Sequence, residues 1–459
     1  MRVRLIPVLM AVAALLACTV TVPGTPTSQG GVVAPDKGGA ADTSFVRNSD
    51  GGEIDQLAAT VVDDVRAYWT EKFPETFDAE FEDLSGGYYS VDTADASSPE
   101  PPCTENAADV EGNAFYCPTA DVIAWDRAAL LPVLKERFGE AAVMLVLAHE
   151  IGHAVQARTG VGISQRRAAP DRFPTILIEA MADCYAGSFV RWVADGKAPR
   201  LRIEKQRLDS ALESLITFRD PIGTDQTDGG AHGDAFDRAS AFQDGYDSGA
   251  KLCSGMTVDN RRFTLTGFST ADDAQRGGNL RFDQIIESIT PGLDAYFGGA
   301  VAAAGGTWTT PRVRPVSGDP ACEGGKQGPV AFCAGDRTIE FDDAKGLPAL
   351  HKDIGDYATG TLLASRYGLA ARAATGKPLT GAQAQESVVC LAGAFTGSLF
   401  AAEDARYLSP GDLDEAVQVL LDFDYAARDG QGGALAAGFD RVARFRSGFT
   451  DGARACGLG

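Results

Sequence analysis

The feature that most restricts the fold of this 459-residue chain is that it repeats itself. Ile54-Asp55-Gln56-Leu57 opens an amphipathic stretch reaching Ala67-Tyr68-Trp69, and Phe282-Asp283-Gln284-Ile285 opens another reaching Ala295-Tyr296-Phe297. Ala114-Phe115-Tyr116-Cys117 is matched by Val330-Ala331-Phe332-Cys333, and Trp125-Asp126-Arg127-Ala128 by Phe341-Asp342-Asp343-Ala344. Cys184-Tyr185-Ala186-Gly187 is matched by Cys390-Leu391-Ala392-Gly393. The stretches ending at Cys253 and Cys456 share Phe, Asp, Arg, Phe, Gly, Gly, Ala and Cys in register. The period is too long for a solenoid. Two related domains are expected instead, 53–253 and 281–459, with a connecting segment at 254–280 rich in Gly, Thr and Asp.

The nine cysteines follow the repeat. Setting Cys18 aside leaves four in each half, and an even set in an exported chain implies disulfides. We pair Cys103 with Cys117 and Cys184 with Cys253, and by repeat symmetry Cys322 with Cys333 and Cys390 with Cys456. No C-x-x-C pair offers a thiolate metal site.

Export is expected from the first residues. Arg2 and Arg4 precede an apolar run, Leu5 to Ala17, that is too short for a comfortable membrane span and reads as a signal peptide over 1–17. Leu15-Leu16-Ala17-Cys18 resembles the bacterial lipobox, which implies cleavage before Cys18 and lipidation of its sulfur. Residues 18–52 are rich in Thr, Pro, Gly, Ser and Ala and read as a flexible linker. As a coil of about 34 residues it would span roughly 30 Å. The expectation is a folded body outside the cytoplasm, in the cell envelope, touching the membrane through the lipid alone. A formal charge of −22 repels phosphate backbones, so nucleic acid is not an expected partner.

The chemistry is concentrated in one short stretch. His149-Glu150-Ile151-Gly152-His153 sits in a run of Ala, Val, Leu and Met that favours a buried helix. Residues four apart share a helix face, so the two imidazoles can bind one tetrahedral Zn²⁺, with Glu150 placed to take a proton from a water there. The chain has only four histidines, and the pattern would arise by chance in about one such chain per thousand. A catalytic zinc needs a third protein ligand. Glu179 is the candidate, on a helix expected between Pro174 and Gly196, and Asp183 one turn on would accept a hydrogen bond from a ligating imidazole. Ala114–Tyr116 and Val122–Trp125 read as strands, one of which could align an extended peptide.

This arrangement resembles the gluzincin metallopeptidases, with H-E-x-x-H followed by a helix carrying E-x-x-x-D. It is closer still to the bacterial putative neutral zinc metallopeptidase family. The shared features are Phe115-Tyr116-Cys117-Pro118, His149 through Gln156, Glu179, Ala182-Asp183-Cys184-Tyr185-Ala186-Gly187, and His232-Gly233 before Phe242 and Gly245-Tyr246. The resemblance covers about 100–253. It implies an α+β fold, zincin-like, with a mainly helical catalytic domain and a small sheet. It also implies zinc and hydrolysis of peptide or protein substrates, in the manner of a metalloendopeptidase. By the same resemblance His232, or less directly Tyr246, would stabilise the oxyanion. His351 has no motif around it.

The second copy keeps the framework and loses the donors. Aligning Gly160 with Gly376 sets Ser365-Arg366-Tyr367-Gly368-Leu369 against His149 to His153, Gln385 against Glu179, Val389 against Asp183 and Leu435 against His232. A degenerate, non-catalytic repeat is expected. The rival expectation is a zinc-containing envelope interaction protein without proteolytic activity. Against it, a purely structural zinc takes four protein ligands and needs no base such as Glu150.

Overall fold

The computed structural model describes residues 39, 41–204, 207–402 and 408–458. Cys18 and the signal peptide lie outside the described residues. The expected linker, 18–52, needs correcting at its end: Val46–Arg47 forms strand β1 and pairs in parallel with Tyr88 and Tyr89. Ala41 and Val46 are buried, so an apolar pair in a polar context starts the body before residue 53.

From there the first half runs α1 (Glu53–Phe77), β2 (Gly87–Val91), β3 (Ala114–Cys117), β4 (Val122–Asp126), α2 (Leu130–Phe138), α3 (Glu140–Arg158), α4 (Ile163–Ala168), α5 (Thr175–Ala194), α6 (Leu208–Thr217), α7 (Ala235–Ser248) and α8 (Ala250–Ser254). Helix α9 (Ala271–Arg276) lies in the connecting segment. The second half runs α10 (Phe282–Ala303), β5 (Arg312–Val316), β6 (Val330–Cys333), β7 (Thr338–Asp342), α11 (Gly346–Asp353), α12 (Asp356–Ala374), α13 (Ala382–Ala401), α14 (Asp412–Asp422) and α15 (Gly438–Asp451). The result is a mainly helical α+β protein with two small sheets.

The sheets are ordered β1-β2-β4-β3 and β5-β7-β6. In each, an antiparallel hairpin strand forms one edge, with Tyr116 opposite Ile123 and Phe332 opposite Ile339. Asp126 and Asp342 end the central strands and turn the chain into a helix by accepting backbone N–H groups, from Ala128, Ala129 and Leu130 in one case and Ala344, Lys345 and Gly346 in the other. The four cysteine pairs named above all lie at disulfide distance.

Glycines set how closely the helices cross. A Cβ on Gly245 of α7 would stand 1.7 Å from the Cys184 carbonyl oxygen of α5, and one on Gly187 of α5 2.0 Å from the Phe242 oxygen of α7. The α13–α15 crossing does the same through Gly393 and Gly448, at 1.8 Å each. Only residues without a side chain let two helices meet backbone to backbone.

One continuous buried apolar cluster runs through both halves. The halves also cap each other's helices. Asp209 on α6 accepts the N–H groups of Gly438 and Phe439 at the start of α15, both at 2.7 Å. Asp414 on α14 accepts the Ala235 N–H at the start of α7, also at 2.7 Å.

Candidate metal centre

Helix α3 begins after Gly139, whose φ of 80° breaks it from α2, and its Ala, Val and Leu side chains are buried almost all round. Helix α5 begins after Pro174 and stops at Gly196, as the sequence signals predict. The two helices approach at Gly152, where a Cβ would lie 3.1 Å from the Ala182 Cα. That close contact turns His149 and His153 of α3 towards Glu179 of α5.

The donor atoms form a nearly equilateral triangle. His149 Nε2 and His153 Nε2 are 3.1 Å apart, and Glu179 Oε2 lies 3.2 Å from the first and 3.4 Å from the second. The other ring nitrogens are engaged. His149 Nδ1 faces Asp183 Oδ1 at 2.7 Å, and His153 Nδ1 faces Gln156 Oε1 at 3.0 Å. The Gln156 amide is oriented by its Nε2, which donates to the Ile178 carbonyl at 2.6 Å. Carboxylate and amide oxygens only accept, so both imidazoles carry a proton on Nδ1 and turn the Nε2 lone pair inward. Two lone pairs and a carboxylate oxygen then face one another across about 3 Å, which requires a positive charge among them. Ligands at three corners of a tetrahedron with zinc bonds of 2.0–2.1 Å stand about 3.3–3.4 Å apart. The residues present fit Zn²⁺.

Electrostatics agree with that demand. Burial works against a charge on His149, but Asp183, Glu179 and Glu150 outweigh it and push its pKa up to about 10. Burial also works against a charge on His153, but Glu179, helped by Glu150, outweighs it and raises the pKa. Burial alone would raise Asp183, yet Arg238 and His149 hold it down at about 2. Burial pushes the Glu150 carboxyl up, against the pull of both imidazoles. Glu150 Oε2 accepts the Tyr116 N–H at 2.9 Å, which ties the acid to the edge strand β3.

Two positioning residues escaped the sequence reading. Gln156 holds His153 as Asp183 holds His149. Arg238 forms a buried fork on Asp183, Nε to Oδ2 and Nη2 to Oδ1, both at 2.9 Å, and its Nη1 donates to the Phe218 carbonyl. The available signal was Phe236-Asp237-Arg238, which recurs as Phe439-Asp440-Arg441. Across the second half Arg441 donates to the carbonyls of Leu420, Leu421, Leu435 and Ala436, where Val389 replaces the acid.

The triangle opens into a cavity of about 420 Å³ whose walls include Ala114, Phe115, Tyr116, Glu150 and His232. His232 is about half exposed, with Nδ1 3.4 Å from Asp220 Oδ1. Tyr246 lies elsewhere, packed against Phe439 and Arg191. His351 donates to or accepts from nothing in this cavity; its Nε2 meets the Leu280 carbonyl. A larger cavity of about 1330 Å³ adjoins the first, sharing Ile163 and Arg166, and holds none of the three donors.

At the place in the second half that aligns with Glu150, Arg366 is 1% exposed. Its Nη1 donates to Gln327 Oε1 at 2.9 Å and its Nη2 to the Tyr425 carbonyl at 3.1 Å. Gln327 Oε1 also accepts the Phe332 N–H, where β3 gives the Tyr116 N–H to Glu150.

A helix bearing two imidazoles and a buried acid, faced by a carboxylate from a second helix and opening on an edge strand, has the parts of a metal-dependent hydrolase centre. The comparison of sequences falls in the same region. The family described as "Putative neutral zinc metallopeptidase" matches residues 7–255, more than half of the chain. The chain belongs to this family, and its cofactor is Zn²⁺. Membership suggests a hydrolase and makes peptides or proteins its substrate class. No curated protein and no solved structure matches it.

Proposed function

We propose that the chain is a zinc peptidase anchored to the membrane through a lipid on Cys18 and working outside the cytoplasm, with His149, His153 and Glu179 as the ligands and Glu150 as the general base. The observation that carries the reading is the triangle of inward-facing acceptors beside a buried acid. Zinc held there supplies a Lewis acid for a scissile carbonyl and brings the pKa of water down towards about 7. Glu150 takes the proton of the attacking water and passes it to the leaving amine. Burial raises its pKa above the ordinary carboxylate value, which makes it the better proton acceptor of the two acids beside the rings. Asp183 and Gln156 keep the two rings in the tautomer that presents Nε2.

The edge strand would align the substrate. The Tyr116 N–H points away from β4 towards Glu150, so by strand alternation the outward groups of Ala114 face the same cavity. An extended peptide pairing with Ala114 would lie across the donor triangle. His232, at the cavity wall, would meet the developing oxyanion. The second half is read as a degenerate copy in a zincin-like pair, with Arg366 and Gln327 filling the place of the chemistry. The cysteine pairs support an oxidising compartment.

The test is Glu150→Gln in the full chain. Hydrolysis of a mixed peptide library should fall by at least about 10²-fold while one zinc per chain stays bound. Undiminished cleavage by that variant would remove Glu150 from the mechanism, and a wild type without zinc would remove the centre.

A further inference from the structure

A second cluster of donors lies in the second half, where α12 meets α14. Asp356 opens α12, and Asp412 and Glu415 stand in the first turn of α14. Oxygens from all three carboxylates lie within 4.8 Å of one another, and all three residues are buried. Each side chain is clamped by a backbone N–H at 2.7 Å: Leu280 to Asp356 Oδ2, Ser409 to Asp412 Oδ2 and Tyr357 to Glu415 Oε2. Asp356 is 2% exposed, and its Oδ1 is buried without a hydrogen-bond partner. Among the described residues no Lys, Arg or His pairs with any of the three. Arg276, whose charge bears on Asp356, makes its ion pairs with Asp272 and Asp273.

We propose that Asp356, Asp412 and Glu415 bind one Ca²⁺. Calcium takes oxygen ligands at 2.3–2.6 Å, so oxygens on opposite sides of the ion stand about 4.6–5.2 Å apart and adjacent ones closer. The spacing here fits that shell. Soft or nitrogen-seeking metals have no donor in the cluster, and Mg²⁺ demands near-octahedral geometry and keeps its waters, which three carboxylates fixed by backbone groups do not readily provide. The orphaned Asp356 oxygen gains a partner. Burial and mutual repulsion push Asp412 and Glu415 well up from the ordinary carboxylate range, and a divalent ion relieves that repulsion. The ion would tie the connecting segment, through Asn279 and Leu280, to the starts of α12 and α14. Residues 408–414 at that junction also wall the 1330 Å³ cavity, so calcium would fix one side of it.

The test uses the full, zinc-loaded chain after passage over a calcium-free chelating resin and re-addition of zinc. Isothermal titration with Ca²⁺ should show one ion per chain, half-saturating at about 0.1–1 mM, the range of extracellular modules. The unfolding midpoint should rise with Ca²⁺ and not with Mg²⁺ at equal ionic strength. Asp412→Asn and Glu415→Gln should each lose the calcium response, and in calcium-free buffer should unfold no earlier than the wild type. No calcium uptake by the wild type, or uptake that both variants retain, overturns the proposal. If neither variant folds, the anomalous map of Tb³⁺-soaked crystals decides: an ion among the three carboxylates supports the site, and an ion only elsewhere overturns it.

Discussion

Gly245→Ala tests whether the α5–α7 crossing carries the metal centre. The added carbon would stand 1.7 Å from the Cys184 carbonyl oxygen, where a carbon and an oxygen need roughly 3.3 Å. The obstacle is backbone, so no rotamer change relieves it and the helices must part by about 1.5 Å. A gap of 0.5–1 Å already forfeits a quarter to a half of the dispersion between facing atoms. The overpacking cost should reach about 3 kcal/mol or more, of which alanine's better helix propensity offsets about 1 kcal/mol. The same displacement pulls Arg238 on α7 from Asp183 on α5, whose two contacts are 2.9 Å, and so loosens His149. Zinc affinity should fall about 10- to 100-fold. Gly448→Ala is the control, because its carbon would meet the Cys390 oxygen at 1.8 Å in the half that lacks the zinc donors. It should destabilise about as much and leave the zinc affinity of the folded chain unchanged. Urea unfolding followed by circular dichroism and competition with a chromophoric chelator measure the two quantities. A Gly245→Ala chain that unfolds at the wild-type urea concentration, or a Gly448→Ala chain that binds zinc as weakly as Gly245→Ala, would refute the reasoning.

Two further outcomes follow from single side chains. Gln156→Ala frees the His153 ring to turn, and should weaken zinc about 10-fold or more in the same chelator competition, with little change in the unfolding midpoint of the zinc-free chain. Burial of Asp342 is outweighed by the backbone N–H groups of Gly346, Ala344 and Gly318, which hold its carboxyl below the ordinary 3.8. A depressed folded pKa stabilises above the unfolded value and is lost as pH falls through the folded one. Asp342→Asn should therefore cost about 2 kcal/mol at neutral pH, and the difference from wild type should shrink below about pH 4 in paired denaturation curves. A constant difference down to about pH 2 would show that the carboxylate charge contributes nothing.

What the sequence disclosed was whatever repeats at short range. His149 and His153 share a face because helices have a fixed period, and Pro174 and Gly196 mark the ends of α5 by their own backbone preferences. Ala114–Tyr116 and Val122–Trp125 were legible as short apolar and aromatic runs, and they form β3 and β4. What it hid depends on how elements cross. Arg238 is 55 residues from Asp183, and their fork exists because two glycine faces bring α5 and α7 together. Gln156 lay within the quoted motif, but its partner is set by the Ile178 carbonyl on another helix. The carboxylates of Asp356, Asp412 and Glu415 look in sequence like ordinary first-turn acids, and only the meeting of α12 with α14 makes them a cluster. Val46 was hidden for a different reason: a two-residue strand gives no period to read.

The exchanged helix caps bear on what this chain can lose. Asp209 serves a helix of the second half, and Asp414 serves α7, which carries Arg238. A shortened gene that dropped 281–459 would take the Asp414 acceptor from the Ala235 N–H, leaving Asp234 as the cap of α7, and would open the shared apolar core to water. The absence of metal donors at position 366 meets no such obstacle, because the buried Arg366 there is satisfied by Gln327 and the Tyr425 carbonyl. The second half can therefore do without a centre like that of the first far more easily than the first half can do without the second.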